Sequence, residues 1–210
     1  MPAAKVVVLD YGSGNLRSAE RALARVGADV TVTSDLHAAA ECDGLVVPGV
    51  GAFAACMAGL RGIGGDKAIA GRVAARRPVL GICVGMQVLF AEGVEFGLRS
   101  EGCGVFPGVI DRLDAPVLPH MGWNTVAPPP GSVLFDGTPD GTRFYFVHSF
   151  ALRLRDAAPL LAEGARLTVT EHGEPFVAAV EHGVVSATQF HPEKSGDAGA
   201  AVLTNWLATL

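Results

Sequence analysis

The chain has 210 residues, of which 50% are hydrophobic and 18% are charged, and its formal net charge is −5. This apolar content suits one packed domain and argues against intrinsic disorder. No basic block offers an electrostatic footprint for nucleic acid, and the apolar run at 6–9 is too short for a signal peptide or a membrane span. We expect a single domain over residues 1–210, in the cytoplasm, with no nucleic-acid or membrane partner.

The cysteines show neither a CxxC pair nor the spacing of a metal site. Four cysteines in a chain of this length also do not resemble a disulfide framework. We expect free thiols at Cys42, Cys56, Cys83 and Cys103, three of them acting as small buried hydrophobic side chains.

Strand and helix patterns alternate in the first half of the chain. Apolar and β-branched runs predict strands at 5–10, 29–33, 44–48 and 78–83. Helical spacing predicts helices at 16–26, 66–77 and 85–91, and residues 92–98 read as a loop. This alternation predicts a parallel sheet with right-handed crossovers.

The second half changes character, because its predicted strands are separated by turns of hairpin length. These strands lie at 144–147, 167–170, 176–180 and 184–188. A Pro-rich surface loop at 127–131 precedes them, and a helix at 196–210 follows, with Val202, Leu203, Trp206 and Leu207 facing the sheet. The fold class is therefore α/β, with a mixed, mostly parallel central sheet flanked by helices.

A GxCxG pattern at Gly81, Cys83 and Gly85 marks the junction of a predicted strand and a predicted helix. It is the pattern of a nucleophile elbow with sulfur in place of oxygen, in which glycines let backbones pass closely. The start of a helix favours a thiolate, and the N–H of Val84 can donate to a developing oxyanion. Cys83 is the candidate nucleophile, and a buried structural cysteine at an ordinary turn is the alternative.

A histidine and a carboxylate follow the last predicted strand, at His191 and Glu193, with Pro192 fixing the backbone between them. A cysteine nucleophile needs a base, and the base needs a group that orients it. We predict that His191 is the general base and acid and that Glu193 holds its tautomer. The other histidines, at 37, 120, 148, 172 and 182, lack this setting.

Together, GxCxGxQ at 81–87 and HPE at 191–193 resemble the class I glutamine amidotransferases. In that family the matching residues, Cys83, His191 and Glu193, form the catalytic triad. The resemblance covers the whole chain and implies that family's single-domain fold. It also implies hydrolysis of L-glutamine to glutamate and ammonia without a cofactor or a metal.

Further segments resemble the glutaminase subunits of imidazole glycerol phosphate synthases, namely DYGSGNL at 10–16, PGVGAF at 48–53, HMGWN at 120–124 and FYFVHS at 144–149. The resemblance implies a (β/α)₈ cyclase subunit as partner, which uses the ammonia in histidine biosynthesis. The cyclase makes imidazole glycerol phosphate and an aminoimidazole carboxamide ribotide, and the glutaminase is nearly idle until the cyclase is occupied. A glutaminase for another acceptor enzyme and a non-catalytic binding protein of the same fold are the alternatives.

The same resemblance assigns the remaining site residues. It implies an oxyanion hole from the backbone of Val50, Gly51 and Val84. It implies glutamine contacts from Gly49, Gly51, Gln87, Glu95 and Ser149. It implies that five residues face the partner, namely Asn15, Met121, Trp123, Tyr145 and Lys194. We expect the HMGWN segment to form a turn. Core packing is the alternative for Trp123 and Tyr145, and a solvated surface charge for Lys194.

Overall fold

The structure is a computed structural model that describes residues 2–210, within which the chain forms thirteen strands and seven α-helices. The strands are β1 (Lys5–Leu9), β2 (Asp29–Thr33), β3 (Gly44–Gly49), β4 (Val79–Cys83), β5 (Phe90–Glu95), β6 (Leu98–Glu101), β7 (Phe106–Arg112), β8 (His120–Thr125), β9 (Arg143–His148), β10 (Phe150–Ala151), β11 (Arg166–His172), β12 (Glu174–His182) and β13 (Val185–Thr188). The helices are α1 (Leu16–Arg25), α2 (Leu36–Glu41), α3 (Phe53–Gly62), α4 (Gly65–Ala74), α5 (Val84–Gln87), α6 (Ala158–Ala162) and α7 (Gly196–Leu207). Short 3-10 turns lie at Leu154–Asp156 and Pro192–Lys194.

A seven-stranded sheet forms the centre of the molecule, in the order β11-β12-β13-β4-β3-β1-β2. The five strands from β13 to β2 run parallel, whereas β12 and β11 are antiparallel additions at one edge. Strands β3 and β4 are buried along their whole length, as expected for continuous apolar runs between layers of helices. The mixed, mostly parallel sheet predicted from the sequence is confirmed. Within residues 2–210, no helix combines the length and apolar character that crossing a membrane requires.

The segment after the Cys83 turn was expected to be a helix over 85–91 and then a loop over 92–98. A helix does begin there but is shorter than predicted, and the loop expectation is wrong. Helix α5 ends at Gln87, and β5 begins at Phe90, whose ring is fully buried 5.3 Å from that of Phe106. Strand β5 pairs with β6 through a tight turn at Phe96 and Gly97, which both have positive φ. Tertiary packing therefore overrides the short helical spacing.

The HMGWN segment is also not the turn that was expected. It forms β8, which pairs antiparallel with β9 in a separate two-stranded ribbon and sets Trp123 opposite Tyr145. The cross-strand partner begins at Arg143, so local sequence alone does not reveal the pairing. The closing helix forms as predicted but ends at Leu207, with Val202, Leu203 and Trp206 buried.

Candidate active site

Cys83 lies at the sharp turn where β4 ends and α5 begins. Its backbone has φ 56° and ψ −115°, a conformation that non-glycine residues rarely adopt and that concentrates at functional sites. The turn packs tightly against β3, since a Cβ on Gly85 would lie 1.8 Å from the carbonyl oxygen of Val47. The GxCxG segment thus has the strained strand-to-helix geometry of a nucleophile elbow.

His191 and Glu193 form a buried pair just after β13. The Nδ1 atom of His191 lies 2.7 Å from Oε1 of Glu193, and the two side chains are 2% and 3% exposed. Burial by itself lowers the pKa of His191, but the interactions with Cys83 and Glu193 outweigh burial and raise that pKa to about 9. The other ring nitrogen, Nε2, makes no hydrogen bond of normal geometry to the described residues. It is therefore the nitrogen that can exchange a proton with a substrate.

Cys83 and His191 open into one pocket of about 200 Å³. Seven more residues assigned from the resemblance line it, namely Val50, Gly51, Val84, Gln87, Glu95, Ser149 and Lys194. Glu193 is outside this wall and acts on the pocket through His191, whereas Gly49 pairs with Cys83 in the β3–β4 ladder. The structure thus brings the predicted nucleophile, its base and most of the predicted substrate contacts to a single pocket.

The segment assigned to the oxyanion hole is held by a serine that the sequence reasoning missed. The N–H of Val50 donates to Ser13 Oγ at 3.1 Å, and Ser13 Oγ donates back to the carbonyl oxygen of Val50 at 2.8 Å. The Cys56 thiol adds a contact of 3.2 Å to the same carbonyl. In this conformation the Val50 N–H is engaged by Ser13, which lies in the DYGSGNL segment, and is not free for an oxyanion.

The amide of Gln87 is also engaged by the protein. Its Nε2 atom donates to the carbonyl oxygen of Phe150 at 2.8 Å and to Oε1 of Gln189 at 3.0 Å. Gln189 in turn donates from Nε2 to the Cys83 sulfur at 3.8 Å. Gln189 directly precedes the FHPE stretch, yet no local signal in the sequence distinguishes it from an ordinary strand residue.

Glu95 and Ser149 occupy the pocket wall in different ways. Glu95 accepts a hydrogen bond from the backbone N–H of Phe53 at 3.0 Å and so caps α3, whose own N-cap residue, Ala52, has no side-chain acceptor. This contact joins the β5–β6 hairpin to the start of α3, two residues after the 48–51 segment. Ser149 lies between β9 and β10 and faces the pocket together with Phe150.

A buried pair of histidines, His120 and His148, lies on the Ser149 side of the pocket, and His148 is part of the pocket wall. His120 Nδ1 and His148 Nε2 are 3.1 Å apart, and His148 Nδ1 lies 3.0 Å from the carbonyl oxygen of Phe150. Burial lowers the pKa of His148 to about 3, with the charge of His120 acting in the same direction, and burial lowers the pKa of His120 to about 4. Both rings are therefore neutral at pH 7 and link the β8–β9 ribbon to the pocket.

The residues assigned to a partner lie mainly on one face of the β8–β9 ribbon. Met121 and Trp123 are 65% and 55% exposed, so Trp123 is not a core aromatic residue. The rings of Trp123 and Tyr145 meet edge to face at 5.9 Å, and Lys194 Nζ lies 5.9 Å from the centre of the Tyr145 ring. Asn15 is separate from this ribbon and forms the N-cap of α1.

Comparison with known proteins identifies the family. The sequence profile described as glutamine amidotransferase class-I matches residues 7–210. The imidazole glycerol phosphate synthase subunit HisH of Mycolicibacterium paratuberculosis is 65% identical over 210 residues, covering 100% of both chains. The HisH subunit of Thermobifida fusca is 62% identical, over 98% of this chain and 99% of its own length. The HisH subunit of Streptomyces coelicolor is 58% identical, over 99% of this chain and 95% of its own length. This chain belongs to the class-I glutamine amidotransferases, among the HisH subunits.

Solved structures show the same class-I amidotransferase fold. A crystal structure of a glutamine amidotransferase matches with a TM-score of 0.75 and 21% identity, over 98% of this chain and 99% of its own. The glutaminase domain of Trypanosoma brucei CTPS with bound acivicin matches with a TM-score of 0.71 and 17% identity, over 99% and 94% of the two chains. The single-domain α/β fold predicted from the sequence is thereby confirmed.

Proposed function

We propose that this chain is the glutaminase subunit of an imidazole glycerol phosphate synthase and hydrolyses L-glutamine to glutamate and ammonia. The observation that carries the proposal is the strained Cys83 turn, which opens into the same pocket as His191 of the buried His191–Glu193 pair. Full-length similarity to HisH subunits supports the choice of acceptor reaction. We assign one amidotransferase domain to residues 1–210, supported by the family match over 7–210.

The first half of the reaction acylates Cys83. Its thiolate attacks the side-chain amide carbon of glutamine, a C–S bond forms, and the carbonyl oxygen becomes an oxyanion. With a pKa of about 9, His191 is protonated at neutral pH and gives its Nε2 proton to the leaving nitrogen. The C–N bond then breaks and ammonia departs, while Glu193 stabilises and orients the imidazole through Nδ1.

The second half hydrolyses the thioester. Neutral His191 accepts a proton from water as the water oxygen attacks the acyl carbon. The C–S bond breaks, the electron pair returns to the sulfur of Cys83, and glutamate leaves. The chemistry uses only protein groups and water.

The oxyanion is stabilised by backbone N–H groups from two sides of the pocket. Val84 begins α5, and the first amides of a helix have no acceptor within the helix. The second donor comes from Val50 and Gly51, which requires the 48–51 segment to rotate away from Ser13. Gly51 has φ +89°, and the space that a Cβ would occupy has no atom within 4 Å beyond the neighbouring residues. This backbone freedom supports such a rotation. We assign the near-idle state of the isolated glutaminase to the conformation held by Ser13.

Glutamine binds with its side chain toward Cys83 and its amino-acid head in the outer part of the pocket. Backbone at Gly49 and Gly51 contacts the reacting amide, and Gln87, Glu95 and Ser149 contact the head. The pocket position of Glu95 and Ser149 supports this assignment, and Glu95 offers the carboxylate that an ammonium group requires. Because the amide nitrogen of Gln87 is already bound to Phe150 and Gln189, its contribution is the remaining oxygen or the shape of the wall.

The partner is a cyclase subunit with a (β/α)₈ barrel, which docks over the pocket and receives ammonia before water protonates it. The cyclase makes imidazole glycerol phosphate and the aminoimidazole carboxamide ribotide. Exposed Met121 and Trp123, with Tyr145 and Lys194 beside the pocket, form the docking face, and Asn15 extends it. The four cysteines are free, which fits a reducing compartment, and we place the complex in the cytoplasm.

The alternatives have less support. A glutaminase for another acceptor would share the triad, but the 58–65% identical relatives over nearly the full length are HisH subunits. A binding protein of the same fold would have no need of a strained Cys83 turn or of a buried carboxylate on His191.

The deciding experiment measures glutamate released from glutamine by the purified chain, alone and with a histidine-pathway cyclase carrying its nucleotide ligand. We expect low activity alone, strong stimulation by the occupied cyclase, and no activity for Cys83→Ala. Cys103→Ala, which removes a thiol outside the pocket, is the matched control and should behave as the wild type. Activity without stimulation would indicate another acceptor enzyme, and no activity under any condition would indicate a binding protein.

A further inference from the structure

Gln189 is a fully buried polar residue beside the nucleophile that the proposed mechanism leaves without a role. It follows β13 and is 0% exposed. Its backbone N–H donates to the carbonyl oxygen of Ala178 at 2.8 Å, which anchors the residue to β12. Because burying an amide costs free energy unless its groups are hydrogen-bonded, the contacts of this side chain indicate what it does.

The orientation of the Gln189 amide follows from a chain of hydrogen bonds that ends on a backbone carbonyl. The Phe150 carbonyl can only accept, so Gln87 must present its NH₂ group there, at 2.8 Å. The same NH₂ group lies 3.0 Å from Gln189, which must therefore present its oxygen. The remaining end of the Gln189 amide is then an NH₂ group, and it points at the Cys83 sulfur 3.8 Å away.

Besides Gln189 and the imidazole of His191, the Cys83 sulfur has a polar contact that opposes a thiolate. The carbonyl oxygen of Val147 lies 3.9 Å from the sulfur, where it can accept from a thiol but repels a negative charge. An amide N–H has the opposite preference, because a hydrogen bond to an ionised acceptor is stronger than one to a neutral acceptor. Gln189 therefore offsets Val147 and favours the form of Cys83 that attacks glutamine.

We propose that Gln189 is a positioning residue for the nucleophile, whose fixed N–H group holds the Cys83 sulfur and stabilises its thiolate. The inference rests on the proposed role of Cys83 as nucleophile. The same N–H group serves again during thioester hydrolysis, when the C–S bond breaks and the electron pair returns to sulfur. Gln87 acts one step further out, because its hydrogen bonds prevent the Gln189 amide from turning over.

Alkylation of Cys83 tests this role directly, because only the thiolate reacts. The rate of reaction with iodoacetamide is measured against pH on the full chain, with the product at Cys83 quantified by peptide mass spectrometry. Gln189→Met keeps the approximate shape and removes the amide. We expect its alkylation midpoint to rise by about one pH unit, which is a tenfold loss of thiolate at pH values below the midpoint. This is the lower end for a charge-assisted hydrogen bond, because the N–S distance is long.

Thr188→Val is the matched control. It removes a buried hydrogen bond of 3.0 Å from Thr188 Oγ1 to the Phe190 carbonyl, next to Gln189, without touching the sulfur. Its midpoint should equal that of the wild type. An unchanged midpoint in Gln189→Met, or an equal rise in Thr188→Val, would overturn the proposal.

A second variant decides the question if Gln189→Met does not fold. Gln189→Glu keeps an oxygen for Gln87 and replaces the NH₂ group that faces Cys83, so its midpoint should also rise, and an unchanged midpoint would refute the role. The alkylation readout is independent of turnover. A wild-type chain that releases no glutamate with the occupied cyclase would overturn the proposed function, while the comparison of midpoints would still decide the role of Gln189.

Discussion

Replacing Ser13 by alanine should raise the glutaminase activity of the isolated chain. The Ser13 hydroxyl accepts from the N–H of Val50 and donates to its carbonyl oxygen, at 3.1 and 2.8 Å. Both bonds exist only while the 48–51 segment keeps its present orientation. Their removal destabilises that orientation relative to one in which the Val50 N–H faces the substrate.

The size of the effect follows from the two bonds. Each neutral hydrogen bond contributes about 1 kcal/mol, and the Ser13 contacts are exposed, so water replaces part of their strength. The Cys56 thiol keeps its contact with the Val50 carbonyl in the variant and retains part of the bias. We therefore expect the present orientation to be destabilised by about 1 kcal/mol. This corresponds to an increase of about fivefold in the basal rate.

The assay is glutamate release at saturating glutamine, without the cyclase and then with the cyclase and its nucleotide ligand. The basal rate of Ser13→Ala should rise while the stimulated rate stays near that of the wild type, so the ratio of the two falls. Ser18→Ala, on the following helix, is the matched control. A basal rate of Ser13→Ala equal to that of Ser18→Ala would falsify the idea that the Ser13 contacts restrain the oxyanion segment.

Three further predictions concern the triad, the docking face and the buried histidines. Glu193→Gln should lower the pKa of His191 from about 9 and reduce glutamate release by about 10³-fold. NMR titration measures the first effect and a turnover assay measures the second. Retained activity would exclude an orienting role for Glu193. Trp123→Ala should weaken cyclase binding by about 2 kcal/mol, which is roughly 30-fold in the Kd measured by calorimetry. Leu161→Ala removes a side chain of similar exposure and should leave the Kd unchanged. Burial lowers the His148 pKa to about 3, whereas the pKa in the unfolded chain is about 6.5. The contribution of neutral His148 to the free energy of unfolding is therefore complete above a pH of about 6.5 and is lost as the pH falls toward 3. Between pH 7 and pH 5, urea denaturation should therefore show a loss of about 2 kcal/mol that His148→Gln lacks, and parallel losses would refute this assignment.

The local sequence was sufficient to predict the elements that meet at the proposed nucleophile, Cys83. A continuous apolar run followed by GxCxG predicts a strand, a tight turn and a helix, and the structure shows Cys83 at φ 56° between β4 and α5. The HPE motif keeps His191 and Glu193 two residues apart, so their contact at 2.7 Å needs no long-range information. The closing helix was predictable for the same reason, since Val202, Leu203 and Trp206 follow helical spacing.

The β5–β6 hairpin and the β8–β9 ribbon were not predictable from short windows. Phe90 adopts a strand because its ring packs on Phe106, and His120–Thr125 forms β8 because β9 lies beside it. Strand propensity depends on such cross-strand and core neighbours. A short sequence window that contains only the segment itself does not include these neighbouring residues.

The state of the site was decided by contacts between residues far apart in the chain. Ser13 restrains Val50 across 37 positions, and Gln87 orients Gln189 across 102. Sequence motifs were sufficient to predict the groups that we propose for the reaction, namely a thiol, an imidazole and a carboxylate. Only the tertiary structure decided which N–H groups are engaged and which point at the sulfur, because hydrogen-bond direction depends on side chains that packing places together and that no local periodicity encodes.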